Sequence, residues 1–204
     1  IPLATPNFYQ EEVTEIEGIL KSGWLSQGKK TEEFENKFAE YCGAKHAVAL
    51  NSGTAALHLS LLAHNIRPGD EVIVPTITFV ATPNSVEMVQ AKPVFCEVDS
   101  RTCNIDVEDI KNKITDKTKA IIPVHLYGNP AKMDEINKIA QENNLIVIED
   151  AAQAHGAEYK GKKIGSTKNT SCFSFHAMKN MTTGEGGMLV SNNSEVIDKV
   201  KTLR

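Results

Sequence analysis

Five short apolar runs, HAVAL (46–50), EVIVP (71–75), PVFCEV (93–98), AIIPV (120–124) and LIVIE (145–149), recur along the chain, and amphipathic stretches with helical spacing lie between several of them. The stretches are TAALHLSLLAHN, DVEDIKNKI and KMDEINKIAQENN. Continuous β-branched runs suit strands buried on both faces, and apolar residues recurring every three or four positions suit helices that cover them. Strict alternation of the two predicts an α/β fold, a mostly parallel sheet with helices on either side in three α/β/α layers. The pattern changes after Gly165, where SCFSF (171–175) and GMLVS (187–191) are joined by a loop with no helix long enough for a crossover. These two runs are expected to add strands of mixed direction.

No repeat, low-complexity tract or linker divides the 204 residues, which are 41% hydrophobic, so one large domain is expected. The last segment, SEVIDKVKTLR, reads as a helix ending at Arg204 without a glycine or asparagine cap, and the chain is expected to be a piece of a longer one. A formal net charge of −4 supplies no basic field for nucleic acid or an anionic membrane, so neither is expected as a partner. The amino-terminal IPLATPNFYQEE has no basic flank followed by an apolar run, and no run approaches the roughly 18 residues of a membrane span, which predicts a cytoplasmic protein. Cys42, Cys96, Cys103 and Cys172 form no CxxC pair and are expected to be reduced and mostly buried.

In open α/β sheets ligands gather at the carboxyl ends of the strands, and four unusual segments fall there. NSGT (51–54) opens a helix, whose free first amides and dipole suit a phosphate. A plain N-cap by Ser52 or Thr54 is the other reading, and the one favoured for this segment taken alone. PTITF follows the second strand and ends on Phe79, either a core residue or a flat face for an aromatic ligand. EDAAQAHG follows the fifth. There Asp150 is either the cap of the next turn or a carboxylate that needs a cation, because a desolvated charge is costly alone. His155, with Asp150 or Glu149, could suggest a metal or an acid–base pair, but no ligand spacing supports a metal. His125, His155 and His176 are read as structural, hydrogen-bonding histidines.

The fourth segment is SFHAMKNMTTGEGGM (174–188), which frames a single lysine, Lys179, with small and glycine residues. GKKIGS (161–166) does not have the spacing of a P-loop, and neither a G-x-S-x-G elbow nor a G-x-G-x-x-G fingerprint occurs. A helix start for phosphate, an aromatic platform, a strand-end aspartate and a framed lysine together are the parts that hold pyridoxal 5'-phosphate (PLP). In such sites the lysine forms a Schiff base with the aldehyde, and a carboxylate keeps the ring nitrogen protonated.

Over essentially its whole length the chain resembles the DegT/DnrJ/EryC1/StrS family of PLP-dependent sugar aminotransferases, of the aspartate-aminotransferase fold (fold type I). The likeness rests on GWLSQGKKTEEFENKFAEYCGAKHAVALNSGTAALHL, GDEVIVPTITFVAT, AIIPVHLYGNPAKMDEI, VIEDAAQAHGAEYKGKKIGS and FSFHAMKNMTTGEGGM. It implies that Lys179 is the Schiff-base lysine, Asp150 the partner of the pyridine nitrogen, and Gln153 a contact near the phenolic oxygen. Ser174, Gly53 and Thr54 would hold the phosphate, and Phe79 would stack on the ring where relatives often carry tryptophan or tyrosine. The implied activity moves an amino group, usually from glutamate, to a keto carbon of a nucleotide-linked deoxysugar. A homodimer is implied, with cofactor sites at the subunit interface. So is a small carboxyl-terminal domain after a large domain spanning residues 1–204. Lysine at position 179 argues against relatives that carry histidine there and dehydrate the sugar. Another PLP enzyme of this fold, such as an amino-acid aminotransferase or a desulfurase, and a non-catalytic PLP-binding regulator are the alternatives.

Overall fold

The computed structural model describes residues 5–204, so Ile1 to Ala4, with which the amino-terminal stretch and the expected domain begin, lie outside the described residues. Two helices come first, α1 (Gln10–Ser22) and α2 (Lys29–Cys42), each stopped by a glycine in the left-handed region, Gly23 and Gly43. Strand β1 (His46–Leu50), helix α3 (Gly53–Ala63), strand β2 (Glu71–Pro75), helix α4 (Ala81–Met88) and strand β3 (Lys92–Cys96) follow. Then come α5 (Val107–Lys113), β4 (Thr118–Ile121), α6 (Met133–Glu142) and β5 (Ile146–Asp150). A small antiparallel pair, β6 (Glu158–Tyr159) and β7 (Lys162–Lys163), leads to β8 (Thr170–Ser174), β9 (Gly187–Ser191) and α7 (Ser194–Leu203).

Seven strands form the central sheet in the order β1-β9-β8-β5-β4-β2-β3. β2, β3, β4, β5 and β8 pair in parallel, while β9 runs antiparallel to both β8 and β1. β1 therefore points the same way as β8, and the carboxyl ends of β1, β2, β4, β5 and β8 share one edge. The expected parallel α/β sheet with a change of direction in its last part is what forms.

Side chains alternate across the sheet as the strand period requires. Val72 and Val74 of β2, Ile148 of β5 and Leu189 of β9 join α3, α4 and α7 in one core. Ile73, Ile121 and Val147 meet α5 and α6 on the other face, and Phe173, Met188 and Val190 meet α2 beside them. Burying each such aliphatic side chain is worth about 1.5–3 kcal/mol. Helix α3 is apolar nearly all round, and it is covered nearly all round, with Ala56, Leu57, Leu59, Leu61 and Ala63 buried.

Two strand ends differ from the sequence reading. The run AIIPV contributes only Ala120 and Ile121 to β4, because Pro123 has no N–H for the ladder; its carbonyl instead accepts the Asp150 amide at 2.9 Å. In the run PVFCEV the sheet strand ends at Cys96, and Val98 instead makes an isolated antiparallel bridge with Ile105. Helix α4 was not anticipated. The thiols of Cys42, Cys96 and Cys172 are buried, as expected, and Cys103 is half-buried.

Candidate active site

All seven residues singled out by the sequence lie at the carboxyl edge of the sheet. Gly53 and Thr54 open α3, whose N-cap is Ser52; the Ser52 hydroxyl accepts the Ala55 amide at 3.1 Å. The Ala56 amide closes on the Ser52 carbonyl at 3.1 Å. Two of the first-turn amides are thus used, and those of Gly53 and Thr54 have no acceptor among the described residues. The capping and phosphate readings of NSGT are therefore compatible: one residue caps, the next two present free donors and the positive end of the dipole.

Ser174 ends β8 against this turn. A Cβ on Gly53 would sit 2.9 Å from the Ser174 Cβ, so only glycine lets helix and strand approach this closely. On the other side, a Cβ on Gly187 would lie 2.1 Å from the Ser52 carbonyl oxygen and 2.7 Å from the Gly53 nitrogen. Gly187 pairs with Leu50 and with Ser174, which seats the α3 turn directly over the start of β9.

Asp150 is the last residue of β5 and is buried. Its Oδ1 accepts the Ala152 amide at 3.1 Å and its Oδ2 accepts the Thr82 hydroxyl at 2.7 Å. Burial pushes its carboxyl above the usual aspartate range, against the hydrogen bonds from Thr82 and Ala152 and the weaker electrostatic pull of the nearby His125 ring and Lys179, which lower it. Its neighbour Glu149 faces the opposite side of the sheet and is held by three donors: His125 Nε2 at 2.9 Å, Thr167 Oγ1 at 2.9 Å and Asn169 Nδ2 at 2.7 Å. Burial raises the Glu149 carboxyl, but these contacts outweigh it and hold the group below its ordinary value. The Ala131 amide donates to His125 Nδ1 at 3.1 Å, so the ring proton is on Nε2 and points at Glu149.

Lys179 lies in the loop between β8 and β9, half-buried, with its amide donating to the His176 carbonyl at 2.9 Å. The loop is tied down throughout. Thr182 Oγ1 and the Thr183 amide donate to the Phe175 carbonyl at 2.9 and 3.0 Å, and Asn180 Nδ2 donates to the His155 carbonyl at 3.2 Å. Lys179 is close enough for its charge to act on both Asp150 and His155.

Gln153 follows Asp150 by three residues, and its Oε1 accepts the Tyr127 amide at 2.7 Å, which turns the Nε2 donors away from that backbone. Phe79 is not in the core: it is 69% exposed, in the turn between β2 and α4, because that turn is the rim of the edge rather than a continuation of the strand. Its carbonyl accepts the Thr82 amide at 3.1 Å, so the aromatic face and the hydroxyl on Asp150 share one turn of backbone.

His125 is a hydrogen-bonding structural histidine, as expected, and His176 Nδ1 accepts the Met178 amide at 3.2 Å. His155 differs. It is buried, but among the described residues neither ring nitrogen has a hydrogen-bond partner, because the ring is wedged among Phe38, Phe173 and Phe175 at centroid distances of 6.3, 5.4 and 5.0 Å. Its role is packing. Thr82 was missed by the sequence reading, since nothing local marks a threonine in ATPNSVEM as the partner of a carboxylate 68 residues away.

The sequence model of the DegT/DnrJ/EryC1/StrS aminotransferase family matches residues 6–204. An uncharacterized protein of Methanocaldococcus jannaschii is 54% identical over 100% of this chain and 53% of its own length. GDP-perosamine synthase of Caulobacter vibrioides is 48% identical over 100% of this chain and 55% of its own length. Among solved structures, Spr1654 of Streptococcus pneumoniae in its PLP form superposes with a TM-score of 0.93 at 36% identity, covering 99% of this chain and 55% of that one. The chain thus spans about half the length of the curated relatives it matches.

Proposed function

Because this chain belongs to the DegT/DnrJ/EryC1/StrS aminotransferase family, we propose that it is the large, cofactor-binding domain of a PLP-dependent aminotransferase acting on a nucleotide-linked ketosugar. The fold is that of the PLP fold-type-I enzymes. A smaller carboxyl-terminal domain would complete the protein, in keeping with relatives about twice as long.

The observation that carries the reading is the buried Asp150, which has one fixed donor on each oxygen and, among the described residues, no cation in ion-pair contact. A charge so placed calls for a positive partner arriving from the cleft. The protonated ring nitrogen of PLP has that chemistry, and the free amides of Gly53 and Thr54 beside Ser174 fit its phosphate. Phe79 would cover one ring face and Gln153 Nε2 would reach the phenolic oxygen. When bound, PLP supplies an electron sink that stabilises negative charge at the carbon bearing the amino group.

The chain's own residues then have separate tasks. Asp150 would face the ring nitrogen and favour its protonated form. Lys179 would hold the aldehyde carbon, and its free Nζ, which must be uncharged and close by, would serve as the base for the α-proton of the amino donor. The Phe175 contacts of Thr182 and Thr183 limit the loop's travel and so keep that Nζ near its target. Glutamate is the donor we favour, leaving as 2-oxoglutarate; the name GDP-perosamine synthase in a relative motivates a nucleotide sugar as acceptor.

A desulfurase is disfavoured, since its thiolate chemistry needs an activated cysteine and burial pushes the thiols of Cys42, Cys96 and Cys172 upward, Cys42 to about 12. Full-length protein given PLP, glutamate and a panel of nucleotide ketosugars is expected to release 2-oxoglutarate and to aminate one of them. Release of none, with PLP bound, would leave the regulator as the better reading.

The full-length protein is further proposed to be a cytoplasmic homodimer. The absence of a helix long and apolar enough to cross a membrane among the described residues is compatible with that location. Support for a dimer comes from exposed apolar surface at the site rim, Ile77, Phe79 and Val80, and from α1, which buries nothing and displays Val13, Ile16 and Leu20 on one stripe. Sedimentation at falling concentration, with and without PLP, should show a dimer that the cofactor stabilises. A monomer transaminating at full rate would refute it.

A further inference from the structure

We propose that Thr82 is the positioning residue of Asp150, and that a one-way relay of hydroxyls, Thr78 to Thr82 to Asp150, holds the carboxylate turned and ionised toward the cleft. The link to the ring nitrogen rests on the function proposed above; the relay itself does not.

The geometry begins with an unusual choice by a helical threonine. A hydroxyl in a helix ordinarily bonds back to the carbonyl three or four residues earlier. Thr82, in the first turn of α4 and wholly buried, instead donates to Asp150 Oδ2 at 2.7 Å. A hydroxyl has one proton. With that proton committed to an acceptor-only carboxylate, the 2.7 Å contact between the Thr78 and Thr82 hydroxyls must run from Thr78 into a lone pair of Thr82. Each bond polarises the next in the low dielectric of the edge, and the final one is charge-assisted.

Other groups cannot replace this one. The Ala152 amide occupies Oδ1. Glu149 points to the far face, where its charge is matched by His125, Thr167 and Asn169. Cys172, paired with Asp150 across the ladder, has a thiol that burial keeps protonated. His125 and Lys179 act on Asp150 only through space, and after burial, which raises its carboxyl, the Thr82 bond is the largest influence pulling it back. The Thr82 amide also donates to the Phe79 carbonyl, so the backbone that carries the aromatic ring and the hydroxyl on Asp150 belong to one turn.

The test uses full-length protein with Thr82→Val, which keeps the branched shape and removes the hydroxyl, and Thr82→Ser, which restores it. Asp150 is followed by the pH titration of its 13C-labelled carboxyl in cofactor-free protein. We expect Thr82→Val to move that titration to higher pH and Thr82→Ser to return it. With PLP loaded, the pH profile of the bound-cofactor absorbance should shift in the valine variant, and kcat should fall about tenfold, the scale of one lost hydrogen bond to a charge, with KM for the amino donor little changed. If Thr82→Val does not fold, Thr78→Val cuts only the upstream bond at a half-buried position and should give a smaller shift of the same sign. An unmoved carboxyl titration in these variants, or equal shifts for valine and serine, overturns the relay. A moved carboxyl with an unmoved absorbance profile overturns the placement of Asp150 at the ring nitrogen and leaves the relay standing.

Discussion

A carboxylate withdrawn from water must recover its lost hydration from fixed donors or a cation, and Asp150 recovers only part of it, from the Ala152 amide and the Thr82 hydroxyl. The shortfall is what a protonated ring nitrogen would meet. Asp150→Asn is therefore expected to retain PLP, since the shape and the Oδ1 acceptor survive, while turnover falls roughly 100- to 1000-fold, the scale of losing one preorganised electrostatic contact. Paired measurement of cofactor occupancy and kcat checks it; near-normal turnover at full occupancy would remove Asp150 from the mechanism. At this scale the sequence is readable where a residue's neighbours in the chain explain it. Asp150 follows an apolar strand and precedes two alanines, and Lys179 stands alone among small residues. Thr82 and Phe79 could not be read so, because the hydroxyl's partner and the ring's exposure arise only when the first turn of α4 is brought to the end of β5 by the folded sheet.

Strands at this edge announce themselves by β-branched runs, and β1, β2 and β5 fall within a residue of where those runs predict them. Helix α4 does not: Thr82, Pro83, Asn84 and Ser85 are poor helix formers, and ATPNS reads as a turn. Pro83 is tolerated only because it sits in the first turn, where its missing N–H is not needed. The glycines after Lys179 are explained by backbone conformation and by packing between elements. Gly184 adopts a φ of +81° in the return of the loop, and Gly187 lets the Ser52–Gly53 turn rest on β9. Gly187→Ala should cost about 1–3 kcal/mol of stability by overpacking against backbone that cannot swing aside. It should also weaken PLP binding by displacing the amides of Gly53 and Thr54. Denaturant unfolding and a PLP titration on one variant check both; unchanged PLP affinity would detach the phosphate from the α3 turn.

Across the molecule, two histidines in different layers, His155 buried and His64 half-buried, make stability depend on pH. Burial pushes His155 from its ordinary 6.5 down to about 4, and it does the same to His64, which sits 2.9 Å from Thr170 Oγ1 with Lys199 adding to the effect. Both are held neutral in the fold, so below pH 6.5 the unfolded chain binds protons that the folded chain does not. Stability contributed by the neutral rings is complete above about 6.5, falls as the pH drops, and levels off below about 4. Each accounts for at most roughly 3 kcal/mol. Chemical denaturation between pH 7 and 4 should show this loss, and His155→Phe, which keeps an aromatic ring among Phe38, Phe173 and Phe175, should shallow it by one proton. An unaltered slope would mean His155 is hydrated in solution.

The central claim is that this sheet edge is a PLP site built around Lys179, and covalent capture tests it most directly. Protein incubated with PLP, reduced with borohydride and digested should carry one pyridoxyl group, on the peptide containing Lys179, and Lys179→Ala should carry none. A label on any other lysine of the wild-type chain, or no label at all, would contradict the account.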